Sequence, residues 1–233
     1  MNSAKDIVEA GVKSLIKELA TYLPLGKTAI GVYDEMNSKQ IERKIYRLEE
    51  FYANLAHTVN AVNNKINQEY VNKDDFLDIF EEATRFVVTE RQEQKRQLFK
   101  NILANSIISP VCDYDKTERY FRLLDNLGEL ELKILAVLEN PDQYNKSHGM
   151  IIKDPINNAY HNSWNTVSSM GVLTQVLDLN AYQVEEAITV LFSNGLVVEN
   201  AMGHQLQTNS NIIHVLNNLL TTRGRDFVKF LKD

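Results

Sequence analysis

The strongest regularity in the chain is a run of apolar residues, Ile41, Ile45, Leu48, Tyr52, Leu55, Val59, Val62 and Ile66, separated alternately by four and three positions. That spacing lines them up on one side of a helix and predicts a long heptad helix over Asn37–Tyr70. Such a seam packs either within a single-chain bundle or against another copy of the chain. The length of the helix tips the expectation toward self-association as a homo-oligomer, with Ile45, Leu48, Tyr52, Leu55, Val59 and Val62 as interaction residues. Upstream, Ala10–Val32 is apolar but interrupted by Lys13, Lys17, Glu18 and Lys27, and Pro24 makes it two short helices around a bend at Leu23–Gly26. Downstream, Asn72 with Asp74 and Asp75 reads as a helix cap followed by acids in the first turn. Phe76, Leu77, Phe80, Ala83 and Val87 then form an inward face, and Leu98, Ile102, Leu103 and Ile107 form another on a helix stopped by Pro110. Together these segments predict an amino-terminal helical bundle over residues 1–112.

Beyond that boundary the pattern changes. Two helices, KTERYFRLLDNL and ELELKILAVLEN, are parted by Gly128, and a polar loop is expected over Pro141–Asn165. MGVLTQVL reads as a short helix, DLN as a tight turn capped by Asp178 or Asn180, and AYQVEEAITVLFSN as a helix burying Val184, Ala187, Ile188 and Leu191. Gly195 ends that helix, Leu196–Val198 begins a strand, and Gly203 stands where a wing can turn. The closing helix takes its cap from Thr221 or Thr222 and packs Phe227, Val228 and Leu231. This grammar predicts a carboxy-terminal winged helix-turn-helix domain over residues 113–233, so the expected fold class is mainly α.

Composition supports helix. Glycine (9) and proline (4) are scarce, which leaves little turn punctuation for a strand-rich fold. One cysteine, Cys112, supports neither an intramolecular disulfide nor a thiolate metal site, which suits a reducing, cytoplasmic setting. No apolar run reaches membrane-spanning length. The apolar bend near Leu23 still needs cover, from a partner or from a peripheral contact with the inner membrane.

Charge then limits the chemistry. Gly26-Lys27-Thr28 matches the end of a phosphate-binding loop, but Thr21 stands where the loop's first glycine is required and no strand precedes it, so nucleotide binding is not expected. Between Lys153 and Arg223 there is no lysine or arginine, and the second helix of the helix-turn-helix carries Glu185 and Glu186. Duplex binding depends on cations meeting phosphates, so nucleic acid is an improbable partner and protein docking through Tyr182, Gln183 and Glu186 is the better reading. Arg85, Arg91, Lys95, Arg96 and Lys100 are interleaved with Glu81, Glu82, Glu90 and Glu93, which makes salt-bridged faces the first expectation and a phosphate or lipid-headgroup site the second. The histidines, His57, His148, His161, His204 and His214, show no metal spacing, and Asp113, Asp115 and Glu118 lack the glycine and downstream glutamate of a calcium loop. No catalytic, cofactor or metal residues are assigned, and an enzyme is not expected. A DNA-binding regulator is the alternative, and an enzyme subunit whose site is completed by a partner is a third.

The succession FLDIFEEATRFVVTERQEQKRQLFKNILANSI, YFRLLDNLGELELKILAVLEN and a helix-turn-helix ending in SNGLVVE resembles bacterial abortive-infection alpha-type proteins. The matching residues are Leu98, Ile102, Leu103, Ala104 and Asn105, then Leu127, Leu130, Glu131, Ile134 and Leu135, within Phe76–Glu199. They are helix-packing residues. The resemblance implies a non-enzymatic role in defence against phage and transfers no catalytic or ligand-binding residue.

Overall fold

The computed structural model describes residues 14, 16–19, 21, 42–109, 114–148, 166–198, 201, 203, 205–207 and 212–232. The bend at 23–31, the first residues of the heptad segment, Cys112 and most of the polar loop lie outside them. The fold is mainly helical and divides into two compact units: Met1–Asp125 with Phe230–Asp233, and Asn126–Lys229.

Unit 1 is built on α1 (Glu42–Ala61), α2 (Gln68–Val71), α3 (Asp74–Thr89), α4 (Glu93–Ile108) and α5 (Tyr114–Asn126). The heptad segment is two helices rather than one. Helix α1 stops at Ala61, Val62 leaves helical geometry at ψ 16°, and a short 3-10 turn spans Asn63–Lys65. Asparagine side chains compete for backbone partners and favour caps over helix interiors. Here Asn67 accepts from the Tyr70 amide at 3.2 Å and starts α2, while its own amide donates to the Ile107 carbonyl at 2.8 Å.

Of the two alternatives for the seam, the side chains take the internal one. Helix α1 packs on α3 and α4, and Leu48, Tyr52, Leu55 and Val59 are buried in that three-helix core with Phe76, Phe80, Phe99 and Ile102. Tyr52 stacks on Phe80 with ring centroids 5.7 Å apart. Phe86, Phe99 and Phe121 form a second aromatic group that draws α5 into unit 1, so the division falls after Asp125, whereas the sequence pattern changes at 112/113. At the start of α3 the N-cap is Lys73 and not Asn72, whose side chain donates to the Gln68 carbonyl, and Ile79 is buried where Leu77 is half-buried.

Unit 2 contains α6 (Glu129–Glu139), α7 (Pro141–Ser147), β1 (Thr166–Ser168), α8 (Ser169–Leu177), α9 (Ala181–Ser193), β2 (Gln205–Gln207), a 3-10 segment (Ile212–Leu216) and most of α10 (Thr222–Leu231). Helix α7 stands where the sequence suggests only loop. Asn140 caps it by accepting from the Gln143 amide at 3.0 Å, and Pro141 sits in its first turn, a position that suits a residue with no N–H to satisfy. Strands β1 and β2 pair antiparallel, with Val167 opposite Leu206. The strand expected at Leu196–Val198 is reduced to one bridge, Val197 to Leu220. Gly224 lets α10 approach that segment, because a Cβ there would collide with the Leu196 carbonyl oxygen.

Candidate functional site

Helix α9 is held at both ends by devices written in its sequence. At its start Asn180 accepts from the Gln183 amide at 2.9 Å, and the Gln183 side chain accepts from the Asn180 amide at 3.3 Å, a reciprocal capping box. At its end Gly195 adopts φ 68°, its amide donates to the Phe192 carbonyl, and the Leu196 amide donates to the Leu191 carbonyl. This is a Schellman closure, and Leu196 and Leu191 are both buried beneath it. The turn before α9 is equally defined: Asp178 ends α8 in the left-handed region at φ 53°, and Asn180 begins α9.

Val184, Ala187, Ile188 and Leu191 face the core of unit 2, as their spacing predicts. The opposite face carries Tyr182, Glu185, Glu186, Thr189, Phe192 and Ser193, all exposed. At 3.6 residues per turn these six fall within a sector of roughly 120°. Thr189 donates its hydroxyl to the Glu185 carbonyl and Ser193 donates to the Thr189 carbonyl, each at 2.8 Å, so both hydroxyls bond to the helix itself. The face therefore offers two carboxylates and two aromatic rings. Tyr182 is 73 % exposed and Phe192 46 %. Among the described residues the other large exposed hydrophobic is Tyr46.

The predicted interaction residues separate accordingly. Tyr182 and Glu186 lie on the exposed face, whereas the side-chain oxygen of the exposed Gln183 is engaged in the cap. Leu48, Tyr52, Leu55 and Val59 are core, and Ile45 and Val62 are half-buried. Phe192 is the residue that periodicity misses, because the run Val190-Leu191-Phe192 reads as uniformly apolar. Extending the series 182, 185, 189 by three finds it.

Arg47, Lys95 and Arg96 cross-link elements of unit 1. Arg96 is 8 % exposed; it holds Glu50 at 2.7 Å and donates to the Arg91 carbonyl at 3.0 Å. Arg47 donates to the Val88 carbonyl at 2.8 Å, closing the carboxy-terminal end of α3. Lys95 reaches Glu90 at 3.5 Å and the Asp125 carbonyl at 2.9 Å, and Arg85 pairs with Glu81 at 2.7 Å. Arg47, Glu50, Arg96 and Lys100 line a shallow surface depression. On the neighbouring surface, burial and then the Glu118 carboxylate raise the Glu82 carboxyl above its ordinary range, with Arg122 acting against them. Glu118 itself is paired to Arg122 at 2.6 Å.

Of the described histidines, His148 stacks on Tyr144, His214 lies 3.3 Å from Asp142, and His57 is exposed on the polar side of α1. Among the described residues no group of three or more His, Cys, Asp or Glu side chains is placed to hold a metal ion, and no helix is long and apolar enough to cross a membrane. The chain has no significant match among protein-family models, curated proteins or solved structures.

Proposed function

We propose that the chain is a non-enzymatic bacterial interaction protein of phage defence, in which unit 2 works as a winged helix that docks a protein through α9. The observation that carries this reading is the exposed face of α9, which presents Glu185, Glu186, Tyr182 and Phe192 where a DNA reader needs cations. The succession β1, α8, tight turn, α9, Val197 bridge, β2 supports a winged helix-turn-helix; helix α7 stands between α6 and β1, and β2 pairs with β1 while Val197 bridges Leu220. The defence role rests on the resemblance to abortive-infection alpha-type proteins. The same reading puts the protein in the cytoplasm, with the apolar bend at Leu23–Gly31 as the place for any peripheral contact with the inner membrane.

The alternative is a transcriptional regulator that reads DNA with α9. Helix order favours it, and the lack of any lysine or arginine from Asp154 to Thr222 opposes it. Phage plating on cells expressing the chain tests the leading reading. A reduced plating efficiency that is lost in a folded Tyr182→Ala/Phe192→Ala variant is expected. Equal plating with and without the chain across a diverse phage panel contradicts the defence role.

A further inference from the structure

We infer that the partner docked on α9 is a cationic protein segment, bearing arginine or lysine beside an apolar or aromatic side chain. The inference rests on the docking reading above and adds the chemistry of what is docked.

Three features of the face select that partner. Its rings stand ten residues apart on one helix, about 15 Å at 1.5 Å per residue, which is the span of an extended or helical peptide rather than of a small molecule. Glu185 and Glu186 lie between them, and the Thr189 and Ser193 hydroxyls donate to the helix backbone. The segment Asp154–Thr222 contains no lysine or arginine, and Arg223 lies beside Gly195, beyond the carboxy-terminal end of α9 and away from the two glutamates. A ring exposed beside carboxylates is the setting in which a guanidinium or ammonium gains from both, stacking on the π face while pairing with the acid. Anionic partners, nucleic acid and acidic membranes among them, meet the same carboxylates as repulsion. The capping box and Schellman closure keep the face in a fixed geometry, so little ordering is needed on this side of the interface.

The test is a titration of the full-length, isotope-labelled chain with two synthetic amphipathic peptides that share one apolar pattern, one with lysine and arginine and the other with glutamate at the polar positions. The basic peptide is expected to shift the amide resonances of α9, and to bind more weakly as salt is raised. Glu185→Gln/Glu186→Gln is expected to weaken it roughly tenfold, the combined effect of two exposed charge pairs. Tyr182→Ala is expected to weaken it by a similar factor, about tenfold, through loss of the ring contact. All three substituted side chains are exposed, so the variants retain the fold. Binding of the basic peptide that is unchanged in the glutamine variant, or that maps away from α9, overturns the inference. Equal or tighter binding of the acidic peptide at α9 also overturns it while leaving the docking reading intact. Shifts at α9 on adding duplex DNA, with none from either peptide, overturn both.

Discussion

Leu55 gives the sharpest test of where the heptad seam packs. Its side chain is 0 % exposed in the core of unit 1, between α1 and the helices α3 and α4. Leu55→Ala removes three carbons, about 2.4 kcal/mol at about 0.8 kcal/mol each. The packed neighbours relax only in part, so the residual cavity adds about 1–2 kcal/mol, for a total near 4 kcal/mol. Urea unfolding followed by circular dichroism measures this as a fall in midpoint at nearly unchanged slope. The decisive control is protein concentration. An internal seam gives the same loss over about a twentyfold range of concentration, whereas a seam shared between copies gives a midpoint that rises with concentration in the parent and loses that dependence in the variant. Leu55→Lys goes further, placing an unpaired charge in the same layer, and is expected to unfold unit 1 rather than release a folded monomer. A concentration-dependent parent, or a Leu55→Ala loss below about 1 kcal/mol, would refute the packing described.

Other consequences follow from single contacts. The Tyr52 hydroxyl is buried without a well-formed hydrogen bond; burial holds the phenol far above its ordinary range, and the nearby Thr84 hydroxyl, which itself donates to the Phe80 carbonyl, acts in the opposite sense. Tyr52→Phe keeps the stack on Phe80 and is expected to stabilise by about 1 kcal/mol in the same urea assay; a loss would mean that the hydroxyl is bonded. Glu50→Ala strands Arg96, whose Nε is already unpartnered, and is expected to cost about 3 kcal/mol, while Glu50→Met/Arg96→Met returns to within about 1 kcal/mol of the parent. Additive losses in that cycle would show that the pair is not coupled. Gly224→Ala pushes a methyl group into the Leu196 carbonyl and is expected to lower stability by about 2 kcal/mol or more, seen as a lower melting temperature; an unchanged melt would contradict the close approach of α10 to Leu196.

Local signals carried unit 2 furthest. Asn180, Gly195 and Thr221 each do what their chemistry predicts: a capping box, a positive-φ helix end, and a cap that accepts from the Gly224 amide at 2.9 Å. The apolar faces of α9 and α10 are buried where periodicity puts them, apart from Leu231, which is half-buried. Unit 1 was less legible because heptad spacing says that a stripe is covered and not by what. Only the long-range contacts of α1 with α3 and α4 decide that. The break after Ala61 was written in the run Asn63-Asn64-Lys65-Ile66-Asn67, but Ile66 kept the heptad in register and masked it. Asn140-Pro141 was likewise a cap followed by a first-turn proline inside what reads as a polar loop. At the site, Tyr182 and the glutamates were visible as the polar side of α9, whereas Phe192 was hidden by its apolar neighbours; the cap role of Gln183 was written in the spacing Asn180-x-x-Gln183, which is that of a capping box.

What α9 docks decides how unit 2 works, and an anisotropy titration of the full-length chain onto labelled duplex DNA at about 0.15 M salt tests it most directly. With Glu185 and Glu186 on the exposed face and no lysine or arginine from Asp154 to Thr222, affinity is expected to be on the order of 10⁻⁴ M or weaker, with little difference between sequences. Nanomolar binding to one duplex, falling steeply with salt and abolished by Tyr182→Ala, would contradict the docking reading and make the protein a regulator that reads DNA through this helix.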